Sequence, residues 1–228
     1  LLQVSLSVNT QWLYILAKAD ALGRICKDKD DLLYRLELFR ELCIEHHCWG
    51  EAYPFPDDAT RFRFFHKPDQ QPDTVVWDDS TTPVTILSGI AGSGKDHYIA
   101  TMLKNKAIIS PDDKRRKARI DRNDSKGQGR IIQESLEDAR KYLRAGQPFV
   151  WNATNTTRQM REHLVGTFLP YKPLITMVYV EVPYKKLVAQ NQNRLHALPL
   201  SAIDRMVDRL EVPQLWEAHK VHFAVSDH

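Results

Sequence analysis

An apolar run, Val84 to Leu87, leads straight into Ser88-Gly89-Ile90-Ala91-Gly92-Ser93-Gly94-Lys95-Asp96. The strand it predicts must end where the glycines begin. Beyond them Tyr98, Ile99, Met102 and Leu103 recur at helical spacing. Strand, glycine loop and helix in that order make a phosphate-binding loop: backbone N–H groups face a triphosphate and the helix N-terminus adds its positive dipole end. Glycines are required because side chains would block the backbone's close approach and because several positions want positive φ. Gly89, Ile90, Ala91, Gly92, Ser93, Gly94, Lys95 and Asp96 are therefore the expected ATP contacts, with Lys95 reaching the β- and γ-phosphates. Asp96 stands where Ser or Thr usually offers a hydroxyl to Mg²⁺. A carboxylate is a harder, charged oxygen ligand, so Asp96 is expected to hold the metal directly or through water.

From residue 84 onward the pattern alternates. Strands are predicted at 84–88, 107–110, 148–152, 174–182 and 221–225. Helices are predicted at 94–104, around 113–121, and at 128–145, 157–168, 184–196 and 200–210. Alternating strands and helices predict an α/β fold of P-loop NTPase type, a parallel sheet covered on both faces, with ligands beyond the carboxyl ends of the strands. The two helices after the fourth strand read as a lid over the triphosphate. Upstream, residues 1–50 read as helical, with Gly23 and Lys27-Asp28-Lys29-Asp30 marking a turn. Residues 51–83 hold five of the twelve prolines and read as irregular, with a short strand at Arg61–His66. Asp78 to Pro83 is the expected boundary, giving a helical and irregular N-terminal part (1–80) and a kinase-type part (81–228).

An apolar content of 43% suffices for a core, and a net charge of +3 does not by itself announce a nucleic-acid binder. Three cysteines, an odd number, fit a reducing cytoplasm better than a disulfide scaffold. No apolar run approaches the ~20 residues of a membrane span. The opening Leu1-Leu2, already within an apolar pattern, suggests a piece of a longer polypeptide. Cys43, His46, His47 and Cys48, with Cys26, invite a zinc reading. Their spacing is unlike the usual C-x₂-C pairs, and a helix end before Trp49-Gly50 explains them adequately.

Two further strand ends carry polar chemistry. After the second comes Ser110-Pro111-Asp112-Asp113-Lys114-Arg115-Arg116. Asp112, nearest the strand, is the expected general base, which needs to lie about 2.6–3.2 Å from the acceptor oxygen. Asp113 suits the start of a helix, where acids favour the dipole. Arg115, one turn on, can order Asp112 and grip a phosphate of the acceptor. After the third strand, Thr154 and Asn155 can orient the acceptor or a metal-bound water, and Arg158 follows on the next helix; Thr156 or Thr157 would cap that helix. In the lid, Arg194 is the candidate to neutralise charge growing on the γ-phosphoryl oxygens. Residues 104–130 carry ten Lys/Arg against four Asp, a local excess of +6 that suggests a polyanionic acceptor.

Taken together, GIAGSGKD, ISPDDKRR, NATNTTRQMR and VPYKKL…NQNR resemble the P-loop 5′-hydroxyl polynucleotide kinases of nucleic-acid repair, over roughly residues 84–225. The likeness is greatest to bacterial proteins that fuse an HD phosphohydrolase domain to such a kinase. The resemblance implies an enzyme that uses ATP and Mg²⁺ to phosphorylate the 5′-hydroxyl ends of RNA or DNA. It puts the proton acceptor on Asp112, the acceptor-phosphate arginine on Arg115 and a lid arginine on Arg194. A second lid arginine of phage-type members is matched here by Gln190. Ile15 to Arg24 looks like the closing helix of an HD domain, with Asp20 in the place of its last metal ligand; no earlier His or His-Asp pair completes that site. The residues themselves also admit a kinase of a nucleoside, sugar or antibiotic, or an ATP-binding regulatory module.

Overall fold

Asn9 and Asp57 each turn a side-chain oxygen onto a backbone N–H three residues ahead, Trp12 at 3.0 Å and Thr60 at 2.6 Å, and a helix follows each. The computed structural model describes residues 1–121, 124–193 and 197–226. Two units divide the chain: residues 1–76 with 214–216, and residues 77–213 with those from 217 onward.

The first unit is helical, with α1 (Leu2–Ser5), α2 (Thr10–Gly23), α3 (Lys29–Glu45) and α4 (Asp58–His66). The Tyr14 hydroxyl and the Lys18 ammonium on α2 both donate to Glu37 on α3, at 2.5 and 2.9 Å. Residues 61–66, expected as a strand, are the second half of α4. Arg61-Phe62-Arg63-Phe64 alternates with the period of a strand, but the Asp57 cap fixes a helical start. Phe62 then stacks on His66 one turn later, with ring centroids 4.1 Å apart. Cys43 and Cys48 are buried, and burial pushes the Cys48 thiol up to about 11. Asp20 pairs with Arg24 at 2.5 Å.

The second unit runs β1 (Thr82–Ser88), α5 (Lys95–Met102), β2 (Ala107–Ile109), α6 (Pro111–Lys117), α7 (Ser125–Arg144), β3 (Phe149–Trp151), α8 (Arg158–Phe168), β4 (Pro173–Glu181), α9 (Tyr184–Gln192), α10 (Leu200–Asp208) and β5 (Lys220–Val225). All five strands are parallel, in the spatial order β2-β3-β1-β4-β5. This is the P-loop NTPase α/β fold expected from the sequence. Successive strand residues point to opposite faces, and both faces are covered. On one, Leu87, Val150, Val178 and Val180 pack with Ile99 of α5. On the other, Phe149 meets Tyr142 of α7 and Phe168 of α8, with centroids 5.9 and 5.8 Å apart.

An ion pair between Arg161 and Glu217 lies fully inside this unit. Arg161 of α8 is 0% exposed and Glu217, shortly before β5, is 3% exposed. The guanidinium donates to both Glu217 carboxylate oxygens, at 2.6 and 3.0 Å, and to the carbonyls of Asn155 and Glu211, at 3.2 and 2.7 Å. Arg161 thus fastens the chain before β5 to the turn after β3. Among the described residues, no helix is long and apolar enough to cross a membrane.

Candidate active site

The carboxyl ends of β1, β2 and β3 open on one cleft of about 390 Å³. Ala91, Gly92, Gly94, Lys95 and Asp96 form one wall; Ser110, Asp112, Asn152 and Thr154 come from the other two strand tips. The glycine loop is built by steric necessity. Gly89 has φ of 147°, and a Cβ there would lie 2.4 Å from the Val180 carbonyl oxygen. Gly94, at φ of 99°, precedes α5, which begins without a side-chain cap. The first amides of a helix have no intrahelical acceptor, so an uncapped start leaves donors for an anion. The buried Lys95 ammonium donates to the carbonyls of Gly89 and Ile90 at 2.7 and 2.8 Å, which holds it beneath the loop.

Asp96 lies in the first turn of α5 and lines the same cleft. Its Oδ1 accepts from Asn152 Nδ2 at 2.8 Å, and among the described residues no donor reaches Oδ2. A carboxylate with one oxygen oriented, in a cleft shared with a phosphate loop, suits a hard divalent cation such as Mg²⁺.

On α6, Ser110 caps the helix by accepting from the Asp113 N–H at 3.2 Å, and Pro111 presets the first turn. Asp112 therefore projects from the helix start, its side chain 47% exposed, and pairs with Arg115 at 3.0 Å. Arg115 is thus within ion-pair distance of Asp112. Its own side chain is 14% exposed and is not among the cleft-lining residues. Arg116, which sequence reasoning did not single out, lines the cleft and pairs with Asp113. The signal was available: residues three and four apart share a helix face, so Asp112 and Arg116 belong on one side.

Two of the expected acceptor contacts need correction. Asn155, at φ of 44°, gives its side-chain amide to the Leu87 carbonyl at 2.6 Å, while its own carbonyl accepts from the Ser88 hydroxyl at 2.9 Å. It is a clamp between the tips of β1 and β3 and is 5% exposed. Arg158 is tied to Glu162 at 2.6 Å on the exposed side of α8 and does not line the cleft. Thr154 does line it, and its carbonyl accepts from the Gly89 N–H at 2.8 Å.

Over the glycine loop lie α9 and α10, where Leu187 and Ile203 pack with Ile90. Asn191 bonds the backbone of Leu198 in both directions, at 2.8 and 2.9 Å. Gln190 lines the cleft with its carboxamide oxygen buried and, among the described residues, without a partner. Arg194 lies outside the described residues.

The sequence profile of the AAA domain family AAA_33 matches residues 84–213, the span that supplies this cleft. The chain belongs to the AAA_33 family. Among the curated proteins compared, none matches it. A candidate kinase from Chloroflexus aurantiacus J-10-fl is similar in structure, at 16% identity over 64% of this chain and 86% of that one, with a TM-score of 0.51. A chain of the Pnkp1/Rnl/Hen1 RNA repair complex is similar at 21% identity, with a TM-score of 0.53. That match covers 57% of this chain and 44% of that one, so the AAA_33 protein spans less than half of the repair protein's length. These likenesses show the P-loop α/β fold of the AAA_33 unit.

Proposed function

We propose that the AAA_33 unit is a phosphotransferase that moves the γ-phosphate of ATP to the 5′-hydroxyl end of RNA or DNA. The observation that carries this reading is the shared cleft: the Asp112 carboxylate and Lys95 line one cavity from opposite strand tips. A loop built for phosphates then shares its cleft with a carboxylate that Arg115 holds in place. In the reaction, the 5′-hydroxyl oxygen bonds to the γ-phosphorus and gives its proton to Asp112. The bond to the β-phosphate oxygen breaks, and ADP leaves. Lys95 and the loop amides would hold the triphosphate, and Asp96 would hold Mg²⁺, which would supply charge neutralisation there. Arg115 keeps Asp112 in place, Arg116 meets the acceptor's first phosphate, and Arg194 answers the charge on the transferred group. Most of the acceleration is positional and electrostatic. Residues 1–80 read, on the likeness of residues 15–24, as the end of an HD-type domain with its connector.

The two arginines should separate kinetically. Arg116→Ala is expected to raise KM for an oligonucleotide at least about tenfold while KM for ATP stays within about twofold, as loss of a charge-assisted phosphate contact implies. Arg115→Ala should lower kcat through Asp112. Equal effects of Arg116→Ala on both substrates would remove its acceptor role.

Salt provides an independent check. Each phosphate neutralised on a single strand contributes a slope of about −0.7 to log K against log salt. Oligonucleotide binding is expected to weaken with a slope of about −2 or steeper, read by fluorescence anisotropy across a salt series. A flat response would point to an uncharged acceptor. The direct test supplies γ-labelled ATP with either a 5′-hydroxyl oligonucleotide or free nucleosides and sugars. Label on the oligonucleotide supports the proposal; label confined to small acceptors would replace it.

A further inference from the structure

P-loop NTPases commonly hold Mg²⁺ with a hydroxyl at the residue after the loop lysine and a separate strand-end carboxylate, the Walker-B Asp. This chain has an acid at the first position, Asp96. The residue that meets it comes from the tip of β3, the strand paired directly with β1, and it is the amide Asn152. Asn152 is 8% exposed, and its position is fixed by its own N–H, which donates to the Ile109 carbonyl at 2.8 Å. Its side-chain nitrogen then points at Asp96 Oδ1. An acid stands where the neutral group is usual, and a neutral group faces it where an acid is usual.

We infer that Asp96 and Asn152 are a transposed metal-holding pair: the negative charge has moved from the strand to the helix, and Asn152 positions the Asp96 carboxylate toward Mg²⁺. The chemistry accounts for both residues. One carboxylate suffices to draw the cation to the phosphates. A second, 2.8 Å away, would repel the first and add charge against the triphosphate. An amide in its place donates to one oxygen of Asp96 and leaves the other for the cation. Residues that orient a metal ligand typically account for about 10–100-fold in metal affinity. Asn152 is a positioning residue on this view, and the inference rests on the reading of the cleft as a Mg²⁺–ATP site.

The test is an exchange of the two side chains, read as binding. A fluorescent ATP analogue is titrated into each variant with Mg²⁺ and again with EDTA, and the ratio of the two affinities measures the metal's contribution. Asp96→Asn alone is expected to lower that ratio about 10–100-fold while leaving the EDTA affinity equal or slightly better. Asn152→Ala should lower it by about tenfold, the low end of that range, because the carboxylate stays but loses its orientation. The double variant Asp96→Asn/Asn152→Asp should recover the ratio to within about threefold of the parent, since the coupled pair is restored in the opposite sense. Asp96→Ser/Asn152→Asp should recover it too and guards against poor packing of the first exchange.

An unchanged ratio in Asp96→Asn would overturn the inference, as would double variants no better than the single one. If neither double variant keeps the parent's EDTA affinity and melting temperature, the pair is structural and the inference falls. A parent protein that binds ATP equally with and without Mg²⁺ would instead overturn the reading of the cleft itself.

Discussion

Replacing Asp112 by Ala is expected to slow phosphoryl transfer about 10²–10⁴-fold, the range that a positioned general base contributes, with ATP affinity changed by no more than a few-fold. The asymmetry follows from where the carboxylate stands. Asp112 projects from the start of α6 on the far wall of the cleft, paired with Arg115, whereas the triphosphate site proposed above is the glycine loop with Lys95. Removing it leaves the donor side whole and strands the acceptor's proton. Single-turnover rates with saturating oligonucleotide, beside equilibrium binding of a nucleotide analogue, measure the two effects separately. A variant that keeps most of its rate removes Asp112 from the chemistry. One that loses rate and ATP affinity together puts it on the donor side.

Arg161→Leu is expected to destabilise the unit by about 3–5 kcal/mol, the cost of breaking a buried ion pair by removing one member. Glu217 is 3% exposed and would keep a carboxylate facing an apolar side chain. The carbonyls of Asn155 and Glu211 would lose a donor as well. Because Asn155 also binds the tip of β1, loss of Arg161 should loosen the site as well as the fold. The double variant Arg161→Leu/Glu217→Leu should recover part of the loss, since apolar replacement of both partners is far less costly than removing one. Urea unfolding followed by circular dichroism measures both. A single variant within about 1 kcal/mol of the parent would contradict the account of this pair.

The parallel sheet was legible because its interior strands are short apolar runs and its loops carry their own punctuation. The glycines after Leu87 can serve few purposes, and each predicted strand of the second unit is found within two residues of its expected place. The 61–66 segment misled because four residues of strict alternation imitate a strand, while the cap that decides the matter lies outside them. The site was legible in part. Lys95, Asp96 and Asp112 follow from local patterns of loop and strand end, and the cleft brings all three together. Asn152 and Arg161 were not legible, since each takes its meaning from a partner 56 residues away in sequence. Asn155 misled for the same reason: a polar residue at a strand tip resembles a ligand contact until the backbone carbonyl it holds, that of Leu87, is known.

The claim on which the rest depends is that two strand tips serve one transferred group. A crystal structure with a non-hydrolysable ATP analogue, Mg²⁺ and a 5′-hydroxyl oligonucleotide measures it directly, through the distance from the terminal oxygen to the Asp112 carboxylate. That distance is expected to be about 2.6–3.2 Å, with the same oxygen in line with the γ-phosphorus above Lys95. An acceptor terminus bound beyond reach of Asp112, with the triphosphate properly seated in the loop, would contradict it.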